Sequence, residues 1–211
     1  MPRATHILHV PVIGQRTGHE CGNTALTAVL QYLGKHVTVD EIGELAGTRA
    51  QGTDHGGMIA AAVKTGAHVF ARSGGGGKAA LREVIGFVSR GLPVICGWWS
   101  MGVGEAVGEV DADYDRRWTR KQRARRDCGH YSVLRGYTPT TLLFMDPQDG
   151  LDGRTIGYCE YSDAEWLRVW YDTDTDAYEL VKNWYMVVNY DRQRFAGVIG
   201  AGEDHAPKER R

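Results

Sequence analysis

The chain has 211 residues, of which 42% are hydrophobic and 24% are charged, and its formal net charge at pH 7 is -1. These values are typical of a folded globular protein with a full core, and they give no global attraction to nucleic acid or to a membrane surface. Apolar runs are only a handful of residues long, whereas a membrane helix needs about 20. We therefore expect no nucleic-acid partner, no membrane insertion and, from the N-terminal residues, no signal peptide.

Helical patterns dominate the first half of the chain. Apolar residues recur at helical spacing between positions 26 and 33, which predicts a helix over 23–33 that ends before Gly34. Thr38 and Glu41 form a capping box ahead of a second, short helix. The other elements predicted here are helices over 57–65 and 78–90 and strands over 67–71 and 94–99.

Strand patterns dominate the second half. Runs at 130–137 and 141–147 read as two strands joined by Thr-Pro-Thr, and residues 178–190 read as one final strand. Between them, Ser162 and Glu165 form a second capping box that predicts a helix. Helices followed by strands favour an α+β fold over alternating parallel units. We expect a single domain over 1–195 and a polar, disordered tail over 196–211.

A charged insertion over 100–127 interrupts this order. Residues 105–115 contain five acids and no base, and residues 116–127 contain seven bases and one acid. One interpretation is a solvated loop or exposed helix whose two halves neutralise each other. A flap over a cleft, or a docking patch for an acidic partner at Arg116–Arg126, remains an alternative.

The cysteines and histidines exclude several kinds of site. The four cysteines are widely spaced and contain no Cys-x-x-Cys pair, which argues against a disulfide scaffold and a cysteine-rich zinc site. The eight histidines contain no His-Glu-x-x-His or comparable metal spacing. We expect no metal, no cofactor and a reducing, cytoplasmic location.

Cys21 lies just ahead of the first predicted helix. Unpaired backbone N–H groups and the helix dipole stabilise a thiolate at such a position, although a buried structural thiol is also common there. Gln15 lies six residues earlier, in a loop between Gly14 and Gly18. Its side-chain amide could join the backbone N–H of Cys21 in binding an oxyanion.

The hairpin at 130–147 supplies a possible base. If its turn centres on Thr138-Pro139, paired positions sum to about 277, so His130 lies opposite or diagonal to Asp146. His130 would then donate one ring N–H to Asp146 and keep its other nitrogen for the proton of Cys21. Together these residues predict a nucleophile, a base and an orienting carboxylate.

The block from Val10 to Gly34, which contains Gln15, Cys21-Gly22 and Tyr32-Leu33-Gly34, resembles papain-like cysteine peptidases of the bacteriocin-processing, double-glycine leader type. The runs GHYSVLRGY and FMDP resemble the histidine and aspartate block of that family, and the resemblance covers about residues 9–190. Members of the family are usually fused to a transporter, and this chain has no membrane segment or phosphate-binding loop, so it resembles a stand-alone member.

The resemblance implies a papain-like fold in which the cysteine helix packs on an antiparallel sheet. It also implies four roles: Cys21 as nucleophile, His130 as general base and acid, Asp146 as its orienter, and Gln15 as oxyanion donor. The expected substrate is a peptide or protein, and glycines ahead of the scissile bond are an expectation from the family alone.

The leading functional prediction is a cysteine peptidase that cleaves a peptide or isopeptide bond through a Cys21 thioester. A transglutaminase-like acyltransferase would use the same residues, and it would be recognised by an amine that outcompetes water for the acyl-enzyme. A non-enzymatic binding module with the same fold is the third possibility. Its Cys21 would be alkylated only above about pH 8, as an unactivated thiol is.

Overall fold

The computed structural model describes residues 3–99, 129–150, 157–173, 180–195 and 203–205. Within these ranges, five helices pack on a large sheet in which every strand pairing is antiparallel. The α+β class predicted from the sequence is confirmed. The charged insertion over 100–127 lies outside the described residues.

The helices follow the predicted pattern closely. They are α1 (Cys21–Tyr32), α2 (Val39–Ala46), α3 (His55–Lys64), α4 (Gly77–Ser89) and α5 (Asp163–Val169). Both predicted capping boxes are present, at Thr38 with Glu41 and at Ser162 with Glu165. Helix α3 begins two residues earlier than predicted because the Asp54 carboxylate caps it by accepting a hydrogen bond from Gly57 N. Within the described ranges, no helix combines the length and apolar character needed to cross a membrane.

The large sheet has the strand order β10-β2-β9-β3-β4-β5-β6, and β1 adds to the far end of β4. Its strands are β1 (His6–Ile7), β2 (His68–Arg72), β3 (Val94–Trp99), β4 (Gly129–Tyr137), β5 (Thr141–Asp146), β6 (Gly157–Ser162), β9 (Tyr185–Asn189) and β10 (Glu203–His205). A separate ribbon pairs β7 (Tyr171–Thr173) with β8 (Leu180–Lys182). Strand β9 lies between β2 and β3 and pairs with both.

Two sequence predictions are wrong near the C-terminus. The single strand expected over 178–190 is divided between the ribbon and the large sheet, and the division falls at Asn183 and Trp184. Asn183 has a φ of 53°, a left-handed conformation that asparagine tolerates better than most residues and that ends a strand. The tail was expected to be disordered, yet Glu203–His205 pair with β2 as an edge strand.

Helix α1 places the first half of the candidate site on the sheet. Its first ten residues are all buried, although they include polar residues such as Asn23 and Thr24. The helix packs against β4, whose residues are mostly buried as well. A helix buried on every side in this way cannot shift without opening the core, so the position of Cys21 relative to β4 is fixed.

Candidate active site

Cys21 is the first residue of α1 and is 7% exposed. The residue before it, Glu20, occupies the N-cap position but makes no side-chain capping bond to the helix. Its carboxylate instead folds the preceding loop, because it accepts hydrogen bonds from Arg16 N at 2.8 Å and Thr17 N at 3.1 Å. The unpaired N–H groups of the first helical turn therefore surround Cys21, as the sequence predicted for a helix start.

His130 and Asp146 meet across the β4–β5 hairpin. Val133 pairs with Met145, and continuing this register places Asp146 opposite Ser132 and diagonal to His130. His130 Nε2 lies 2.8 Å from Asp146 Oδ1, and the two residues are 3% and 0% exposed. The contact expected from the hairpin arithmetic is confirmed.

The carboxylate of Asp146 is fully buried and well supplied with donors. Besides His130, it accepts hydrogen bonds from Ser132 Oγ at 2.9 Å and from the backbone N of Gln148 at 2.8 Å. Burial alone would raise the pKa of Asp146, but the charge of His130 and these hydrogen bonds lower it below its ordinary value. Asp146 is therefore held as a carboxylate in the core.

Ser132 and Trp98 are two site residues whose roles the sequence reasoning did not assign. Ser132 Oγ accepts a hydrogen bond of 2.9 Å from Trp98 Nε1, and Trp98 also meets the ring of His130 edge-on at 5.5 Å. Ser132 lies two residues after His130 and therefore on the same strand face, which is the signal that could have found it. Trp98 is buried beside the site.

Cys21 lies close enough to His130 to raise the pKa of its imidazole. Because Nε2 faces Asp146, Nδ1 is the nitrogen left for the cysteine. Burial lowers the pKa of His130, but the Asp146 carboxylate and Cys21 outweigh this and raise the pKa well above its ordinary value of 6.5. A histidine that keeps its proton beside a cysteine favours the reactive thiolate.

Gln15 is buried in the loop that leads to Cys21. Its backbone N donates to Pro147 O at 2.9 Å, which ties this loop to the residue after Asp146. Its side-chain Nε2 donates to Thr17 O at 2.9 Å, so one of its two amide hydrogens is engaged within the loop. The second amide hydrogen is the one that an oxyanion would use.

A cleft of about 400 Å³ opens at Cys21. Its walls include Gly18, Thr53, His55, Tyr131 and Asp172. The wall at Thr53 is attached to the cysteine helix, because Asn23 Oδ1 accepts hydrogen bonds from Thr48 Oγ1 at 2.7 Å and Thr53 Oγ1 at 3.0 Å. The nucleophile and this wall are thus parts of one rigid unit.

The cleft is lined by a second histidine–aspartate pair, which sequence reasoning did not find. His55 Nε2 is 3.3 Å from Asp172 Oδ2, and the His55 ring stacks on Trp184 at 4.0 Å between centroids. The two residues are far apart in the chain and lie on different elements, so no local pattern connects them. In the described parts of the chain, no group of three or more histidine, cysteine or acidic side chains is placed to hold a metal ion.

Comparison with known proteins shows which family the chain belongs to. Residues 7–178 match the model of the Peptidase_C39 like family. An uncharacterized protein of Methanothermobacter marburgensis is 44% identical over 55 residues, a match that spans 26% of this chain and 39% of that relative.

Solved structures of such peptidases share the fold. A C39-like peptidase from Bacillus anthracis has a TM-score of 0.62 at 16% identity, covering 89% of this chain and 98% of that one. The peptidase domain of Streptococcus ComA, a bifunctional ABC transporter, has a TM-score of 0.58 at 17% identity, covering 87% and 100%. A double-glycine motif protease from an AMS/PCAT transporter, solved in complex with the leader peptide, has a TM-score of 0.52 at 16% identity, covering 88% and 98%. The papain-like fold expected from the sequence is confirmed.

Proposed function

The chain belongs to the Peptidase_C39 like family and is a cysteine peptidase, and we propose that Cys21 is the nucleophile with which it cleaves peptide bonds. The observation that carries this proposal is the position of His130, which is close enough to Cys21 for the cysteine to raise its pKa and whose Nε2 lies 2.8 Å from Asp146 Oδ1. Nucleophile, base and orienting group in that order form the arrangement that thiol-based acyl transfer requires.

The proposed reaction has two steps. The Cys21 thiolate attacks the scissile carbonyl, and His130 donates its proton to the departing amine, which leaves a thioester on Cys21. His130, now neutral, then removes a proton from water, and the attacking hydroxide releases the acid and restores the thiol. Asp146 keeps the imidazole oriented and stabilises its charged form throughout.

The negative oxygen of each tetrahedral intermediate needs donors close to Cys21. The backbone N–H of Cys21 lies at the start of α1 and has no partner within the helix. We assign the second donor to Gln15, whose remaining amide hydrogen is not used by Thr17. Two such donors are the usual number in an oxyanion hole, and each is worth about 10²–10³ in rate.

We further propose that the substrate is a peptide or protein and that water is the acyl acceptor. The double-glycine motif protease with a similar fold was solved with its leader peptide, which supports a peptide with glycines ahead of the scissile bond. The free thiols of the described cysteines Cys21 and Cys96 support a reducing, cytoplasmic location.

The experiment that tests the nucleophile combines labelling with substitution. The protein is incubated with a peptidyl chloromethyl ketone that ends in Gly-Gly, and the modified residue is located by mass spectrometry. We expect modification at Cys21 alone. We also expect Cys21→Ala to abolish peptide cleavage while keeping its circular dichroism spectrum, because alanine is well tolerated at the start of a helix.

Cys159→Ala is the matched control, because it removes a partly buried thiol that does not line the cleft. It should retain both cleavage and labelling. Turnover by Cys21→Ala on a cleaved peptide would disprove the proposal. An added primary amine that captures the acyl group in preference to water would replace hydrolysis with acyl transfer.

A further inference from the structure

The cleft that opens at Cys21 contains His55 and Asp172, which the proposed mechanism does not use. His55 is the first residue of α3, and Asp172 is the middle residue of β7. Their exposed fractions are only 8% and 2%. Removing two ionisable groups from water is costly, and a buried ionisable pair in the wall of a cleft is a candidate functional site.

The ring of His55 is held rigidly by its aromatic neighbours, and its Nε2 atom can still bind a ligand. Its ring lies parallel to Trp184 with an interplanar angle of 5°, and Tyr131 meets it edge-on at 5.8 Å between centroids. Its Nε2 lies 3.3 Å from Asp172 Oδ2 without the alignment of a hydrogen bond, and it finds no hydrogen-bond partner among the described residues. A buried polar atom without a partner is costly, and a ligand that satisfies it would recover that cost.

Two glycines leave space for the pair. A Cβ atom on Gly97 would lie 2.9 Å from Asp172 Oδ2 and 3.0 Å from His55 Nε2, and a Cβ atom on Gly129 would lie even closer to Asp172 Oδ1. A side chain at either position would displace the carboxylate. Gly129 and His130 are consecutive in β4, so the pair lies on the opposite face of that strand from the His130 side chain. The pair and Cys21 nevertheless line the same cleft, which places the pair within reach of a substrate residue near the scissile bond.

The charge of the cleft indicates which kind of substrate residue His55 and Asp172 bind. Among the described residues that line the cleft, the carboxylates of Asp54 and Asp172 occur with two histidines and with no lysine or arginine. We propose that Asp172 and His55 form a subsite that binds a lysine or arginine side chain of the substrate close to the scissile bond. This inference rests on the proposed peptidase function. The cationic group donates hydrogen bonds to the Asp172 carboxylate, and His55 Nε2 accepts another.

The test uses a peptide library and does not require a known substrate. Peptides made from a proteome by a glutamate-specific protease keep lysine and arginine inside their sequences. Cleavage of this library by the protein is mapped by mass spectrometry. We expect lysine and arginine to be enriched at one position near the cleavage site.

Substitutions then test whether the enrichment of lysine and arginine depends on Asp172. Asp172→Asn keeps the shape of the side chain and removes its charge, and we expect it to lower the preference for lysine over norleucine at that position by about tenfold, the effect of one charge-assisted hydrogen bond. Asp191→Asn is the matched control, because Asp191 is exposed and does not line the cleft. It should keep the wild-type preference, and an unchanged preference in Asp172→Asn would overturn the proposal.

A measurement on the unmodified protein covers the case in which Asp172→Asn does not fold. Two fluorescence-quenched peptides that differ only by lysine or norleucine at the enriched position are compared for their rate of cleavage. The lysine peptide should be cleaved about ten times faster. Equal rates would overturn the subsite and leave the peptidase intact, whereas a failure to cleave either peptide would refute the proposed function itself.

Discussion

Two histidine–aspartate pairs lie close to Cys21, and they differ in geometry. His130 and Asp146 are joined by an aligned hydrogen bond of 2.8 Å, and two further described groups donate to the same carboxylate. His55 and Asp172 approach to 3.3 Å without that alignment, and His55 stacks on Trp184. The same two residue types therefore occur twice near Cys21 with different partners.

The difference arises from the elements that carry each pair. His130 and Asp146 belong to adjacent strands of one sheet, where the register fixes the distance between them. His55 and Asp172 come from a helix and a separate ribbon, so aromatic stacking has to position them. A pair fixed by strand register is suited to moving a proton. In the other pair, His55 Nε2 has no hydrogen-bond partner among the described residues and is available to a ligand.

The largest expected effect separates the two histidines. His130→Ala removes the group that transfers the proton, so we expect kcat/KM to fall by about 10²–10⁴. His55→Ala should mainly lose selectivity for basic peptides and should reduce kcat on a neutral peptide far less. Steady-state kinetics on one basic and one neutral peptide measures both quantities.

The exposed His9 provides a control, since His9→Ala removes a histidine that is outside the cleft. Its kinetics should match those of the unmodified protein. If His55→Ala lost as much kcat as His130→Ala on both peptides, the assignment of separate roles to the two pairs would be wrong.

The next effect concerns charge in the catalytic pair. Asp146→Asn keeps an oxygen that can accept from His130 Nε2 but loses the carboxylate charge. We expect a tenfold to hundredfold fall in kcat, about the worth of a charge-assisted hydrogen bond. This loss is smaller than that of His130→Ala, because Asp146 orients the imidazole and does not bond to substrate.

The same substitution changes the dependence of stability on pH. The raised pKa of His130 contributes stability that is complete below about pH 6.5 and is lost as pH rises through the raised value. The lowered pKa of Asp146 contributes stability that is present above its ordinary value and is lost as pH falls through the lowered one. The melting temperature should therefore decline on the alkaline side, and Asp146→Asn should flatten that decline. An unchanged alkaline slope would contradict the coupling.

The smallest expected effect concerns Ser132, which donates a hydrogen bond to Asp146. Ser132→Ala removes the two hydrogen bonds that Ser132 Oγ makes, one to Asp146 Oδ2 and one from Trp98 Nε1. We expect a loss of about 1–3 kcal/mol in the free energy of unfolding and a modest fall in kcat. Chemical denaturation measures the first and steady-state kinetics the second.

Ser89→Ala is the matched control, because Ser89 is exposed on α4 and also makes two hydrogen bonds. It should cost less stability and should leave kcat unchanged. A kcat of Ser132→Ala equal to that of the unmodified protein would show that Ser132 acts only on stability.

Local patterns in the sequence predicted much of the region around Cys21, His130 and Asp146. The helix after Cys21, both capping boxes and the His130–Asp146 contact all follow from residues within one element or one hairpin. The hairpin estimate came within about one residue of the observed register. The turn is centred one residue later than assumed, so paired positions sum to 279 beside it, and the irregularity between Leu134 and Gly136 reduces this sum to 278 at the site. Such features depend on spacing along the chain, which a sequence displays directly.

Features that depend on long-range packing were missed. The break at Asn183 follows from the transfer of the chain from the ribbon to the large sheet, and nothing in the apolar run around it marks that change. The His55–Asp172 pair requires α3 and β7 to meet, which only the tertiary structure determines. The need for glycine at positions 97 and 129 could not be predicted from the sequence either. A Cβ atom at either position would collide with the side chain of Asp172 in β7, and this contact exists only in the folded protein.

The position of β9 has a consequence for when the enzyme becomes active during its synthesis. Strand β9 separates β2 from β3 and pairs with both, yet it follows Cys21, His130 and Asp146 in the chain. A ribosome-bound chain therefore contains Cys21, His130 and Asp146 before it can close the sheet beneath them. Because domains fold as units during translation, we expect the cleft to be completed only after β9 has emerged, and a nascent chain that lacks β9 to be inactive as a peptidase.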